Sequence, residues 1–183
     1  VSVTFGAAKV GQFLLPGADA LGDLVLADIG WPPDLPAIVG VELELASAAQ
    51  VGRMLPERPR GSHKGTFGTA LLAAGSVNYA GAAYLAAAGA YRIGAGMVTV
   101  GAPSSIHAIL AVLLPEATWL ILPSDMGVIA AGGAKVMRGA LSRADALLLG
   151  PGWGTEKPTA DFLSELLLDE WETRVRGIGF GAE

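Results

Sequence analysis

Between Lys64 and Arg92 no residue is charged. A chain can carry so long an uncharged stretch in a bilayer or in a sheet buried on both faces. A bilayer span needs about 20 consecutive apolar residues. Here Gly75-Ser76-Val77-Asn78 interrupts the stretch, and neither half alone is long enough. No membrane span is therefore expected. The stretch is expected to fold as a buried strand, a turn and a buried helix, as in a parallel sheet covered on both faces. The overall balance agrees, with 52% apolar and 16% charged residues against roughly 25% charged in an ordinary soluble domain.

The same balance removes several function classes. Twelve basic residues against seventeen acidic ones give a net charge of −5 with no basic run, so no nucleic-acid surface is expected. The high hydrophobicity and low net charge exclude a disordered chain. With no cysteine there is no disulfide, thiol nucleophile or thiolate metal site. Two histidines, His63 and His107, are too few for a histidine-rich metal centre, and no metal site is expected.

Residues 1–36 hold two strand-like runs, Val1–Phe5 and Asp23–Ile29, separated by a loop with Pro16-Gly17. The run Trp31-Pro32-Pro33-Asp34-Leu35-Pro36 stops regular structure, because three prolines so close cannot continue a helix or a central strand. Residues 37–62 read as a connector with a short helix over Ala46–Leu55. From residue 63 an alternation begins. Strands are expected at Thr69–Ala74, Met97–Val100, Thr118–Leu122 and Ala146–Leu149. Helices are expected at Tyr79–Ile93, Ser104–Leu114 (capped by Ser104 or Ser105), Val128–Leu141 and Pro158–Leu168. The first helix is apolar almost all round (Ala82, Ala83, Leu85, Ala86, Ala88, Ala90, Tyr91), so it should be largely buried. Strands alternating with helices call for an α/β fold with a parallel sheet. The tail Arg174–Glu183 has no period, and Gly177–Gly181 is expected to be a flexible loop.

In an open parallel sheet, ligands bind beyond the carboxyl ends of the strands. Those ends read Gly75-Ser76, Gly101-Ala102-Pro103, Leu122-Pro123 and Gly150-Pro151-Gly152. The amides of Gly75–Gly81, with the following helix N-terminus, would form an anion site; the spacing alone fits tight turns equally well. The fingerprints G-x-G-x-x-G and G-x-x-x-x-G-K-[ST] are absent, and Ser76 lies in no nucleophile elbow. His107 is expected to be a packing or surface histidine, and Trp119 a core residue. His63 with Lys64 reads as a solvated linker end or as a site element. Glu116 and Asp125 are separate loop carboxylates with no acid/base spacing. Trp153, between two glycines, is expected to be partly exposed and able to stack on a ring.

Five ordered motifs carry a resemblance: His63-Lys-Gly-Thr-Phe-Gly68, Ala74-Gly-Ser-Val-Asn-Tyr-Ala-Gly-Ala82, Arg92-Ile-Gly-Ala-Gly-Met-Val-Thr99, Leu114-Pro-Glu116 and Gly150-Pro-Gly-Trp-Gly154. Over about residues 55–170 the chain resembles the ADP/ATP-dependent NAD(P)H-hydrate dehydratases, which are ribokinase-like α/β enzymes. Residues 1–36, with Val3-Thr-Phe-Gly6, Lys9, Pro16-Gly17 and Val25–Gly30, resemble the closing segment of an NAD(P)H-hydrate epimerase domain. The resemblance implies a fragment of a bifunctional repair enzyme: an epimerase tail over 1–36, a linker over 37–62 and the N-terminal part of the dehydratase over 63–183.

The implied reaction is the ADP-dependent (or ATP-dependent) dehydration of hydrated NAD(P)H, with AMP and phosphate as the products from ADP. Mg2+ is the implied metal. Carried over by motif, Ala82 and Gly154 match positions that contact the hydrated cofactor, and Gly75, Ser76, Gly81 and Gly152 shape the same crevice. Trp153 stands where the family usually has leucine. The family's catalytic aspartate and nucleotide segment are expected beyond Glu183, so the isolated chain is expected to be inactive. The implied partners are a small-molecule substrate and a nucleotide, in a cytoplasmic homo-oligomer. The alternative is a ribokinase-like kinase acting on a vitamin or sugar hydroxyl.

Overall fold

The computed structural model describes residues 1–32 and 34–168. The expected loop at Gly177–Gly181 and the aperiodic tail lie outside the described residues. The chain divides into two compact units, Val1–Arg58 and a second that begins at Pro59.

In the first unit, β1 (Ser2–Phe5) and β2 (Leu24–Ala27) pair in parallel, with Ser2 opposite Leu24 and Phe5 opposite Ala27. The connection carries a short helix, α1 (Gly17–Leu21), where the sequence suggests only a loop. Lys9 fixes the chain after β1 by donating from Nζ to the carbonyls of Phe5 (2.6 Å) and Ala7 (2.7 Å). Val3, Phe5 and Val25 nevertheless stay exposed. A two-stranded pair with such open apolar faces is not a self-sufficient sheet. Helix α2 (Pro36–Val39) starts at the last proline of the run that was expected to stop regular structure; Pro36 occupies its first turn, where a missing N–H costs nothing. Helix α3 (Ala48–Met54) opens with a capping box, in which Ser47 Oγ accepts from Gln50 N and Gln50 Oε1 from Ser47 N.

The second unit is built on a four-stranded parallel sheet. Its strands are β3 (Thr69–Ala73), β4 (Met97–Pro103), β5 (Thr118–Leu122) and β8 (Ala146–Leu149), in the order β5-β4-β3-β8. Between β5 and β8 lies a hairpin of β6 (Ser124–Asp125) and β7 (Val128–Ile129). Alternation along the strands divides the core in two. Leu72, Ala74, Val98, Val100 and Ala102 pack against helices α4 (Ala80–Ile93) and α5 (Ser104–Leu113). On the other face, Leu71, Ala73 and Leu122 pack with Met137 of α6 (Gly133–Leu141) and with Phe162 and Leu166 of α7 (Lys157–Leu168). Phe162 is fully buried, which stabilises the fold by about 1.5–3 kcal/mol relative to an exposed ring.

Three expectations fail here. Val128 and Ile129 belong to the hairpin, so the helix begins only at Gly133. Residues Met126 (φ 48°) and Gly127 (φ 82°) form its two-residue turn, and such paired positive φ values suit the twist of a tight hairpin. Helix α5 is capped by neither Ser104 nor Ser105; its N-cap is Pro103, with no side-chain hydrogen bond. Helix α4 is not largely buried, because only Ala83, Ala87 and Ala88 are covered while Leu85 and Ile93 stand exposed. Its uniform apolarity hides the one face that meets the sheet. Among the described residues no helix is long and apolar enough to cross a membrane.

Candidate functional site: two glycine loops at the strand ends

Strands β3 and β8 are neighbours, with Ala73 opposite Leu149. Their carboxyl ends therefore deliver two loops side by side, 74–79 into α4 and 150–156 into α7. Gly75 N donates to Pro151 O at 2.7 Å, and Gly150 N to Ala73 O at 3.3 Å. Gly75 (φ +82°) is closed in, since a Cβ there would lie 2.7 Å from Ile106 Cδ1 and 2.9 Å from Ala83 Cβ. At Gly152 (φ +73°) a Cβ would meet Ala82 Cβ at 2.7 Å and Tyr79 O at 2.8 Å. Only glycine permits both this backbone geometry and this approach.

The hairpin supplies a third wall, because Val77 N donates to Gly127 O at 2.9 Å. Nothing in the apolar periodicity announces this contact. The available signal is Asp125-Met126-Gly127, a turn-forming group inside what otherwise reads as a helix.

The six residues singled out in the sequence fall into distinct places. Gly75 and Ser76 are buried beneath the loop crossing, and Ala82 and Gly152 are half-buried and meet. Gly81 and Gly154 are exposed; Gly81 has open space where a side chain would point, and Gly154 (φ +85°) faces the carboxylate of Glu156. The loop is not an open cradle of amides. The N–H groups of Gly75, Val77 and Tyr79 bond to Pro151, Gly127 and Ser76 carbonyls, so they serve the scaffold. At the N-terminus of α4, Ala80 and Gly81 retain amides without intrahelical acceptors.

Trp153 corrects the expectation of an exposed ring. It is 6% exposed and packs edge-on against Phe162, with ring centroids 5.2 Å apart. Its indole Nε1, Glu156 Oε2 and Thr159 Oγ1 are buried without a hydrogen-bond partner. His63 and Lys64 sit at the opposite end of the sheet. His63 Nδ1 accepts from Gly65 N at 3.1 Å and caps a short 3-10 turn just before β3. His107 makes an edge contact with Trp119 at 5.3 Å, a packing role. Asp125 lies in β6 of the hairpin. No three His, Cys, Asp or Glu side chains among the described residues converge as metal ligands.

A parallel sheet flanked by helices, with two glycine loops meeting at its strand ends, places the chain among ribokinase-like α/β proteins. A ribokinase-like protein from Enterococcus faecalis superposes with a TM-score of 0.52 at 26% identity, covering 62% of this chain and 37% of that one. A Streptococcus mutans protein does so at 0.57 and 28%, covering 67% and 41%. The family model described as NAD(P)H-hydrate dehydratase matches residues 70–173, and the chain belongs to that family. It is 36% identical over 167 residues to the bifunctional NAD(P)H-hydrate repair enzyme of Moorella thermoacetica, covering 91% of this chain and 32% of the relative. It is 51% identical over 65 residues to the ADP-dependent (S)-NAD(P)H-hydrate dehydratase of Bacillus subtilis, covering 36% and 24%. The chain thus spans about a third of the length of the first of these relatives.

Proposed function

We propose that this chain is the middle of a bifunctional enzyme that repairs hydrated NAD(P)H. Residues 63–183 would open an ADP-dependent dehydratase domain, residues 1–36 would close an epimerase-like domain, and residues 37–62 would link them. The break between compact units at Arg58 falls inside that linker. The open apolar faces of β1 and β2 suit a strand pair drawn from a larger sheet.

The observation that carries the reading is the meeting of the two glycine loops at the strand ends of a chain of this family. Gly152 against Ala82, and Gly75 bound to Pro151, hold the two loops together, so the hydrated ring would lie across their outer side, where Gly81 and Gly154 are exposed. Hydroxide is a poor leaving group and phosphate a good one. Phosphoryl transfer from the nucleotide to the ring hydroxyl, then elimination of phosphate with loss of a proton from the neighbouring ring carbon, would restore the reduced nicotinamide and leave AMP. In this scheme the described residues hold and shield the substrate, with Ala82 and Gly154 touching it and Gly75, Ser76, Gly81 and Gly152 shaping the walls. The catalytic aspartate lies in the remainder of the enzyme. Mg2+ accompanying the nucleotide would polarise its phosphates; the described residues offer it no cluster of ligands, so its binding residues are placed elsewhere too. A cytoplasmic homo-oligomer is part of the same proposal, checked by light scattering of the full-length enzyme.

The test is incubation of the full-length enzyme with hydrated NADH and ADP. The near-ultraviolet absorbance of reduced nicotinamide should return, and AMP should form in equal amount. A folded enzyme that restores no absorbance would refute the proposal. Phosphoryl transfer to a hydroxymethyl substrate without dehydration would mark the kinase alternative instead.

A further inference from the structure

We infer that Glu156 is a positioning residue for the substrate loop: its main chain is fixed by the first turn of α7, and its carboxylate, packed against Gly154, sets where the Gly154 peptide lies. The inference rests on the reading of Gly154 as a substrate contact. The chain of support starts in the core. Phe162 and Leu166 are fully buried and anchor α7. Glu156 immediately precedes this helix, and its carbonyl accepts from Thr159 N (3.1 Å) and Ala160 N (3.3 Å), which fixes its main chain.

From there the side chain turns back onto the loop, where Oε2 fills the space that any Cβ on Gly154 would need. That oxygen is buried and has no hydrogen-bond partner. The neighbouring cation does not draw it away, because Lys157 Nζ is paired with Asp161 at 2.6 Å. The N-terminal end of the helix dipole favours a carboxylate at this position. A buried acceptor left unpaired is a cost that calls for an explanation. Contact with Gly154 does not satisfy that acceptor; what it shows is that the carboxylate occupies the space beside Gly154 and limits where that peptide can lie.

The test uses the full-length enzyme with Glu156→Ala, Glu156→Gln and, as a neighbouring control, Lys157→Ala. Two readouts are taken: hydrogen exchange of the 150–156 peptide, and KM and kcat for hydrated NADH at saturating ADP. Glu156→Ala should speed exchange in the loop and raise KM about tenfold, within the penalty of a slightly misplaced contact, while kcat stays nearly unchanged. The isosteric Glu156→Gln should restore both readouts, and Lys157→Ala should change neither. Unchanged loop exchange in Glu156→Ala would overturn the inference, as would a fall in kcat at constant KM, or a glutamine variant as defective as the alanine one. If Glu156→Ala does not fold, Glu156→Asp, one methylene shorter, should give intermediate loop exchange, and wild-type exchange there would overturn the inference. If the wild-type enzyme does not turn over hydrated NADH, the functional reading fails, while the exchange readout still decides the role of Glu156 in placing the loop.

Discussion

Substituting Gly152→Ala asks the contact between the two loops to accept one methyl group. The backbone there has φ +73°, and the new Cβ would stand 2.7 Å from Ala82 Cβ, 2.8 Å from Tyr79 O and 3.0 Å from Tyr79 Cβ. Left-handed geometry costs a residue with a side chain roughly 1–2 kcal/mol. Overpacking against neighbours that cannot yield adds about 1–3 kcal/mol. The expected loss is therefore about 2–5 kcal/mol in equilibrium urea unfolding of the full-length enzyme. Relief should be partial and specific. Adding Ala82→Gly removes the 2.7 Å contact but leaves both Tyr79 contacts and the φ strain. The pair should then show a favourable coupling of about 0.5–1.5 kcal/mol, as expected of touching side chains. A Gly152→Ala enzyme within about 0.5 kcal/mol of wild type, the range of an inconsequential surface change, would refute the geometry. So would strict additivity of the two substitutions.

Two further outcomes follow from the packing and the electrostatics. Phe162→Ala empties a fully buried site under α7 and should cost about 3–5 kcal/mol, read as a lowered midpoint in denaturant. The Tyr91 phenol is held protonated beyond its ordinary 10.0, first by burial and then by the Glu116 charge, with the Val98 amide pulling the other way. A raised folded-state value means the stabilisation is whole below pH about 10, the ordinary tyrosine value, and fades as pH rises through the folded-state value. Tyr91→Phe also removes the bond from its hydroxyl to Glu116 O (2.7 Å). It should flatten the alkaline loss of stability relative to wild type; identical slopes in alkaline denaturation curves would contradict this.

What was legible in the sequence was the short apolar run bounded by turn residues, even at the sheet edges, where Ile121, Leu147 and Leu148 stay exposed. Thr118–Leu122 and Ala146–Leu149 are strands at the expected bounds, because an uncharged run of that length between turn residues has few other uses. Placing ligand sites at strand ends singled out loops 74–79 and 150–156 among four candidates, but their meeting depends on β8 pairing with β3, an order the sequence does not announce. Features that depend on partners distant in sequence were not legible. Trp153 between glycines reads as partly exposed, yet it is buried and Phe162 receives its ring. The Ala-rich α4 reads as largely buried, yet only one face meets the sheet. The hairpin at Ser124–Ile129 was hidden by the helical pattern after it. Amides that looked available for an anion were taken by Pro151 and Gly127, which no local rule foretells. Glu156 carries no motif, and only its position against Gly154 singles it out.

The central claim is that the two glycine loops hold the hydrated nicotinamide across their outer side. A crystal structure of the full-length enzyme soaked with hydrated NADH tests it most directly. The account predicts density for the ring between Ala82 and Gly154, over the contact of Gly152 with Ala82. A ring bound at the amino end of the sheet, near His63 and Lys64, with none at the two loops, would contradict it.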